Sequence, residues 1–123
     1  MLNTASQKGF DYRMAEELQL SGQCAVVIDG TSGIGRVLAL GLARAGADVI
    51  ASSRHLSSVA MVAHEIEEIG VRTITQSCDA QDVTSLQALV ESVLRTFGRC
   101  DILVNSAGKT KRIRTLDCPE ETW

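Results

Sequence analysis

The chain has 123 residues, 45% of them apolar and 22% charged, with a net charge of −3 at neutral pH. That is enough chain for one soluble domain with its own core. Its mild acidity gives nothing to draw it onto nucleic acid or an anionic membrane.

The first twenty residues lack the long apolar stretch of a signal peptide, and no run approaches the roughly 18 apolar residues of a membrane span. Residues 1–20 are read as an N-terminal extension, with a loose helical turn around 14–18, and residues 21–123 as the folded domain. Aromatics are few (Phe10, Tyr12, Phe97 and Trp123), so the core must be aliphatic. The four cysteines form no CxxC pair, which argues against a zinc knuckle or redox couple. Cys24 and Cys78 fall in predicted strands, where a thiol serves as a small apolar group. A reducing, cytoplasmic setting follows as the expectation.

From residue 24 strands and helices alternate. Strands are predicted at 24–28, 48–51, 73–77 and 101–105, the third with the weakest pattern. Ala25-Val26-Val27-Ile28 and Ile102-Leu103-Val104 are apolar at successive positions, as in strands covered on both faces. Helical spacing predicts three helices. The first runs from Ile34 to about Ala45, with Val37, Leu38, Leu42 and Ala45 on its apolar side. The second covers 57–69 and aligns Val59, Val62, Ala63, Ile66 and Ile69. The third covers 82–97 and aligns Leu86, Leu89, Val90, Val93, Leu94 and Phe97, with Asp82 as its N-cap. Gly46, Gly70 and Gly98 each follow a helix where a left-handed terminating residue is expected. The repeat implies right-handed crossovers and an α/β fold: a doubly wound parallel sheet of about four strands, incomplete as it stands.

Between the first strand and first helix lies Asp29-Gly30-Thr31-Ser32-Gly33-Ile34-Gly35. Glycines at such a turn let backbone approach a ligand, and the helix N-terminus behind them suits a pyrophosphate. A tight structural turn would use glycines too; the location in the first βαβ unit favours dinucleotide binding. The spacing departs from GxGxxG, because Ser32 stands where the second glycine would fall.

The turn instead resembles the TGxxxGxG motif of the short-chain dehydrogenase/reductase family, matching at Gly33 and Gly35. The motif's leading Thr-Gly is replaced by Ile28-Asp29, which puts a Cβ and a carboxylate in the phosphate turn. Asp101-Ile102-Leu103-Val104-Asn105-Ser106-Ala107-Gly108 is similar to the family's DILVNNAG signature, with Ser106 for the second asparagine. Cys78-Asp79 matches the family's adenine-contacting aspartate, and Phe97-Gly98-Arg99 resembles its usual lead-in to strand four. The likeness covers roughly residues 20–123.

By that resemblance the domain is part of an NAD(P)-binding Rossmann unit. Thr31, Ser32, Gly33, Ile34 and Gly35 would line the pyrophosphate and Asp79 the adenine. Asn105, Ala107 and Gly108 would support the ribose side and the central strand. A turn residue leading the next helix is the plainer alternative for Asp79. Cofactor choice is read at the end of the second strand. An acid there favours NAD, whereas Ser53 and Arg54 can accommodate a 2′-phosphate and point to NADP. An exposed Arg54 capping a loop is the plainer alternative.

The resemblance also implies hydride transfer between nicotinamide and a carbonyl/alcohol pair, with a Tyr-x-x-x-Lys supplying acid–base chemistry. Tyr12 is the sole tyrosine and Glu16 lies four residues on, so no catalytic residue is assigned. Asp117-Cys118-Pro119-Glu120-Glu121 reads as a helix start, and the chain is expected to be a truncated, catalytically inactive portion of the enzyme. The alternative is a non-catalytic interaction protein that pairs with a full-length paralogue. Strand four would then expose an edge suited to homo- or hetero-oligomers. His64-Glu65 lacks a second histidine at helical spacing and reads as a solvated face, so no metal site is assigned. Residues 109–114 are strongly basic and read as a solvated loop, although in the family this loop borders the nicotinamide side.

Overall fold

The computed structural model describes residues 19–108 and 112–122. The helical turn expected around residues 14–18 lies outside the described residues, as do Tyr12, Trp123 and the first half of the basic run.

Three parallel strands form one open sheet in the order β2-β1-β3, where β1 is Cys24–Ile28, β2 is Asp48–Ser52 and β3 is Ile102–Asn105. Cys24 pairs with Asp48 and Ile28 with Ser52 on one side of β1; Ala25 pairs with Ile102 and Ile28 with Asn105 on the other. Every crossover returns to the parallel direction through a helix: α1 (Gly33–Arg44), α2 (Leu56–Ile69) and α3 (Val83–Phe97).

The two-residue period of β1 divides the core. Ala25 and Val27 face α1 and α2, in a cluster with Ala39, Leu40, Ala43, Val49, Val62 and Ile66. Cys24 and Val26 face the other way, with Ile50, Cys78, Leu89 and Val93 of the α3 layer. Ile66, Ile50 and Val27 are wholly excluded from solvent. At about 25 cal/mol per Å² of apolar surface, such burial is the main force holding the helices to the sheet.

The helix ends follow the sequence. Asp82 accepts the Thr84 N–H at 3.0 Å and caps α3. Gly70 and Gly98 terminate α2 and α3 in the left-handed region. After α1, Gly46 (φ +103°) donates to the Ala43 carbonyl and Ala47 to that of Leu42, the paired 5→2 and 6→1 bonds of a Schellman ending.

Several expectations need correction. Residues 73–77 do not form a strand. The segment runs beside β2 but is bonded to it mainly at its ends, where Val49 donates to the Arg72 carbonyl and Cys78 donates to that of Ser53. Between them the Ser52 hydroxyl, rather than a backbone N–H, donates to the Gln76 carbonyl at 2.6 Å, so no ladder forms.

The apolar side expected for α1 is also rotated. Val37 and Leu38 are exposed, whereas Gly35, Ala39 and Ala43, spaced four apart, bring the helix down on the sheet with Leu40. Small residues set that rotation because they permit the closest approach.

On α3, Val90 and Leu94 are exposed while Leu89 and Val93 are buried. Leu103 of β3 is 67% exposed, so this strand is covered on one face only. Leu103, Val90 and Leu94 thus line an apolar groove of about 320 Å³ between α3 and β3.

Pro119 leads into a single 3₁₀ turn, Glu120–Thr122. Among the described residues no helix is long and apolar enough to cross a membrane.

Candidate nucleotide-binding cleft

All three strands end at the same side of the sheet, and the loops that follow them surround a cleft of about 510 Å³. Its walls include Asp29 after β1, Ser53 and Arg54 after β2, Asp79 before α3, and Asn105, Ala107 and Gly108 of the β3 end. A crevice outside the carboxyl ends of parallel strands is where open α/β sheets bind ligands.

The turn between β1 and α1 is fixed from both sides. Gly30 donates its N–H to the Ser52 carbonyl at 3.1 Å, and Ser106 donates to the Ile28 carbonyl at 3.0 Å. Thr31 Oγ1 donates to Ser53 Oγ at 2.8 Å, which joins the glycine-rich turn to the end of β2. Gly35 is obligatory on steric grounds: a Cβ there would collide with the Asp29 carbonyl oxygen. Ser32, Gly33 and Ile34 are exposed at the start of α1.

Asp29 itself has φ +60°, the single non-glycine residue with positive φ among those described. This backbone region suits glycine, and aspartate is one of the few other residues that enter it readily. The position is therefore one that needs a left-handed residue, and the chain meets that need with a charged one.

Two of the sequence-assigned side chains are partly engaged in their own loops. Asp79 Oδ1 accepts the Gln81 N–H at 3.0 Å, a turn-forming bond, and its own N–H donates to Ser85 Oγ at 2.9 Å. Asn105 Oδ1 accepts the Ala107 N–H at 3.3 Å. Arg54 is exposed and Ser53 buried. Thus Ser53, Arg54, Asp79, Asn105, Ala107 and Gly108 share one cleft, while Thr31, Ser32, Gly33, Ile34 and Gly35 form the adjoining turn. Cys78, which precedes Asp79 in the matched motif, also lines it, as do Ala80 and Gln81, which nothing in the sequence singled out.

Outside the cleft, Arg36 of α1 forms a two-pronged ion pair with Glu65 of α2, with Nε to Oε1 at 3.2 Å. His64 faces Glu68 at 3.1 Å on the exposed side of α2. Arg112, Ile113 and Arg114, the described half of the basic run, are exposed. The thiols of Cys24 and Cys78 are buried and that of Cys100 is exposed; all are free. Burial first, and then the nearby Cys100, Asp48 and Asp101, push the Cys24 thiol up to about 11.

The profile of the short chain dehydrogenase family matches residues 23–123. The chain belongs to the short-chain dehydrogenase family. It is 36% identical over 111 residues to the 2-dehydro-3-deoxy-D-gluconate 5-dehydrogenase of Pseudoalteromonas atlantica, covering 89% of this chain and 44% of that protein.

Among solved structures, the hydroxysteroid dehydrogenase of Escherichia coli superposes with a TM-score of 0.79 at 32% identity, covering 87% of this chain and 45% of that one. The L-sorbose reductase of Gluconobacter frateurii, solved with NADPH and L-sorbose, gives 0.78 at 34% identity, over 86% and 41% of the two chains. This family member therefore spans less than half the length of these relatives.

Proposed function

We propose that this chain is the nucleotide-binding portion of an NAD(P)-dependent oxidoreductase acting on a carbonyl/alcohol pair, and that its cleft takes NADP in preference to NAD. The observation that carries the reading is the convergence of Ser53, Arg54, Asp79, Asn105, Ala107 and Gly108 on one crevice at the carboxyl ends of the strands. The close packing of Gly35 beneath Asp29 fits a turn built to lie against a ligand.

In this reading Thr31, Ser32, Gly33, Ile34 and Gly35 hold the pyrophosphate through backbone N–H groups. Asp79 faces the adenine, and Asn105, Ala107 and Gly108 support the ribose side. Arg54 takes the 2′-phosphate by charge-assisted hydrogen bonds, with Ser53 already oriented by Thr31. The reductase solved with NADPH supports the NADP preference by likeness. When bound, the nicotinamide would supply hydride chemistry. The 123 residues contain no Tyr-x-x-x-Lys, so binding rather than turnover is assigned to them.

Fluorescence titration with NADPH and NADH tests the reading. Saturable binding with NADPH the tighter ligand is the expected result; no saturation by either up to millimolar concentration overturns it.

A second reading is a non-catalytic protein that pairs with a full-length paralogue. It is favoured by the exposed Leu103 on β3, whose outer edge is unpaired among the described residues. Co-purification with such a paralogue would support it, and a monomer that ignores the paralogue would count against it.

A further inference from the structure

We propose that Asp29 makes the cleft a charge filter, one that accepts the nucleoside part of a ligand but weakens the hold on a 5′-diphosphate. The proposal rests on the nucleotide-site reading above and names a selectivity within that site.

Asp29 lines the cleft with Arg54 and Asp79. Among the described residues no arginine, lysine or histidine forms an ion pair with it, and no donor is bonded to its carboxylate. The carboxylate is therefore not neutralised by these neighbours, and its residue lines the space a ligand would fill.

Nor can the turn easily swing aside. Gly30 is bonded to Ser52 behind it, Ser106 is bonded to Ile28 before it, and the Asp29 carbonyl rests against Gly35. That last contact places Asp29 against the first turn of α1, where exposed N–H groups would meet an anion. A diphosphate drawn to those groups meets a negative charge carried on the residue whose backbone adjoins them. Like charges a few ångströms apart at a partly desolvated surface repel substantially, and salt weakens the effect.

Arg54 supplies the opposite sign at the end of β2. Phosphate near Arg54 is favoured and phosphate near Asp29 is disfavoured, so the cleft separates ligands by where their charge sits. A neutral nucleoside is indifferent to both.

The test uses calorimetric titration of the 123-residue chain with adenosine, 2′-AMP and 5′-ADP. Wild type is compared with Asp29→Asn, which keeps the shape and tolerates the left-handed backbone, and with Asp29→Gly. Both variants should bind 5′-ADP about tenfold tighter or better, a gain of roughly 1.4 kcal/mol. Adenosine should change less than about twofold, and the gain for 5′-ADP should shrink as salt rises towards about 1 M.

Equal shifts for adenosine and 5′-ADP would overturn the filter. So would a loss of adenosine affinity without any gain for 5′-ADP, which would make Asp29 a ribose contact. If no form binds any of the three ligands, the nucleotide-site reading fails and takes the filter with it. Binding with unchanged ratios removes the filter alone.

Discussion

Asp101 and Cys24 clasp each other where β3 meets β1. Asp101 donates its backbone N–H to the Cys24 carbonyl at 2.8 Å, and Asp101 Oδ2 accepts the Cys24 N–H at 2.8 Å. Arg99 closes the arrangement by donating from Nε to the same carboxylate oxygen at 2.7 Å and from Nη2 to the other at 2.6 Å. The carboxylate thus replaces a ladder bond just before β3 begins, and it registers the edge strand against the centre of the sheet.

The clasp makes stability depend on acid. The Arg99 hydrogen bonds first, and then the Cys24 N–H, hold the Asp101 carboxyl below its ordinary value of about 3.9. The folded state consequently releases this proton more readily than the unfolded state. Its contribution is complete above the unfolded value and is lost as pH falls through the folded one. Asp101→Asn keeps an acceptor for Cys24 but cannot titrate. Thermal midpoints measured from about pH 6 to about pH 2 should fall more steeply for wild type than for the variant. Parallel curves would show that the clasp is not linked to protonation.

The raised Cys24 pKa gives a second expectation, because the thiolate is the reactive species. In the native chain Cys100 should be alkylated readily at pH 8, while Cys24 and Cys78 react only on unfolding. Mass spectrometry after a short pulse of iodoacetamide reads the order directly. Early labelling of Cys24 would mean that β1 opens locally.

The two faces of the sheet should respond differently to truncation. Ile66 is fully buried in the α1–α2 layer, and Ile66→Ala should cost about 2–5 kcal/mol in urea unfolding. Leu103 is largely exposed on the α3 side, and Leu103→Ala should stay within about 0.5 kcal/mol. A large loss at Leu103 would show that another surface covers this strand in solution.

That asymmetry also explains which parts of the fold were legible in the sequence. The α2 stripe of Val59, Val62, Ala63 and Ile66 is buried as its spacing predicts, since the whole apolar side faces the sheet. In α1 the larger residues Val37 and Leu38 misdirect the reading. Helix rotation there is decided by the small residues 35, 39 and 43, which a hydrophobic pattern undervalues. Leu103 and its neighbours look like a strand covered on both faces, but only Ile102 and Val104 have a helical layer against them. In the cleft, Ser53 and Arg54 are found from their place at the end of β2, and Asp79 and Asn105 from the motifs that contain them. Ala80 and Gln81 have no chemical signature and enter through the path of the loop. The need for a left-handed residue at position 29 is implied by the motif, and its φ of +60° is visible only in three dimensions.

Arg54 offers the sharpest test of cofactor preference. It follows β2 on an exposed loop, and its neighbour lining the cleft is Ser53, whose Oγ accepts from Thr31 Oγ1 at 2.8 Å. The serine is buried and uncharged, so the exposed cation must supply most of any attraction for a 2′-phosphate. A hydrogen bond to a charged group is worth about 1.5–3 kcal/mol, roughly ten- to a hundredfold in affinity. Arg54→Ala should therefore weaken NADPH binding by about that factor and change NADH by less than about threefold. High salt should narrow the difference between wild type and variant, because the lost interaction is ionic. Equal weakening of both cofactors would instead identify Arg54 as a loop-capping residue whose removal disturbs the end of β2.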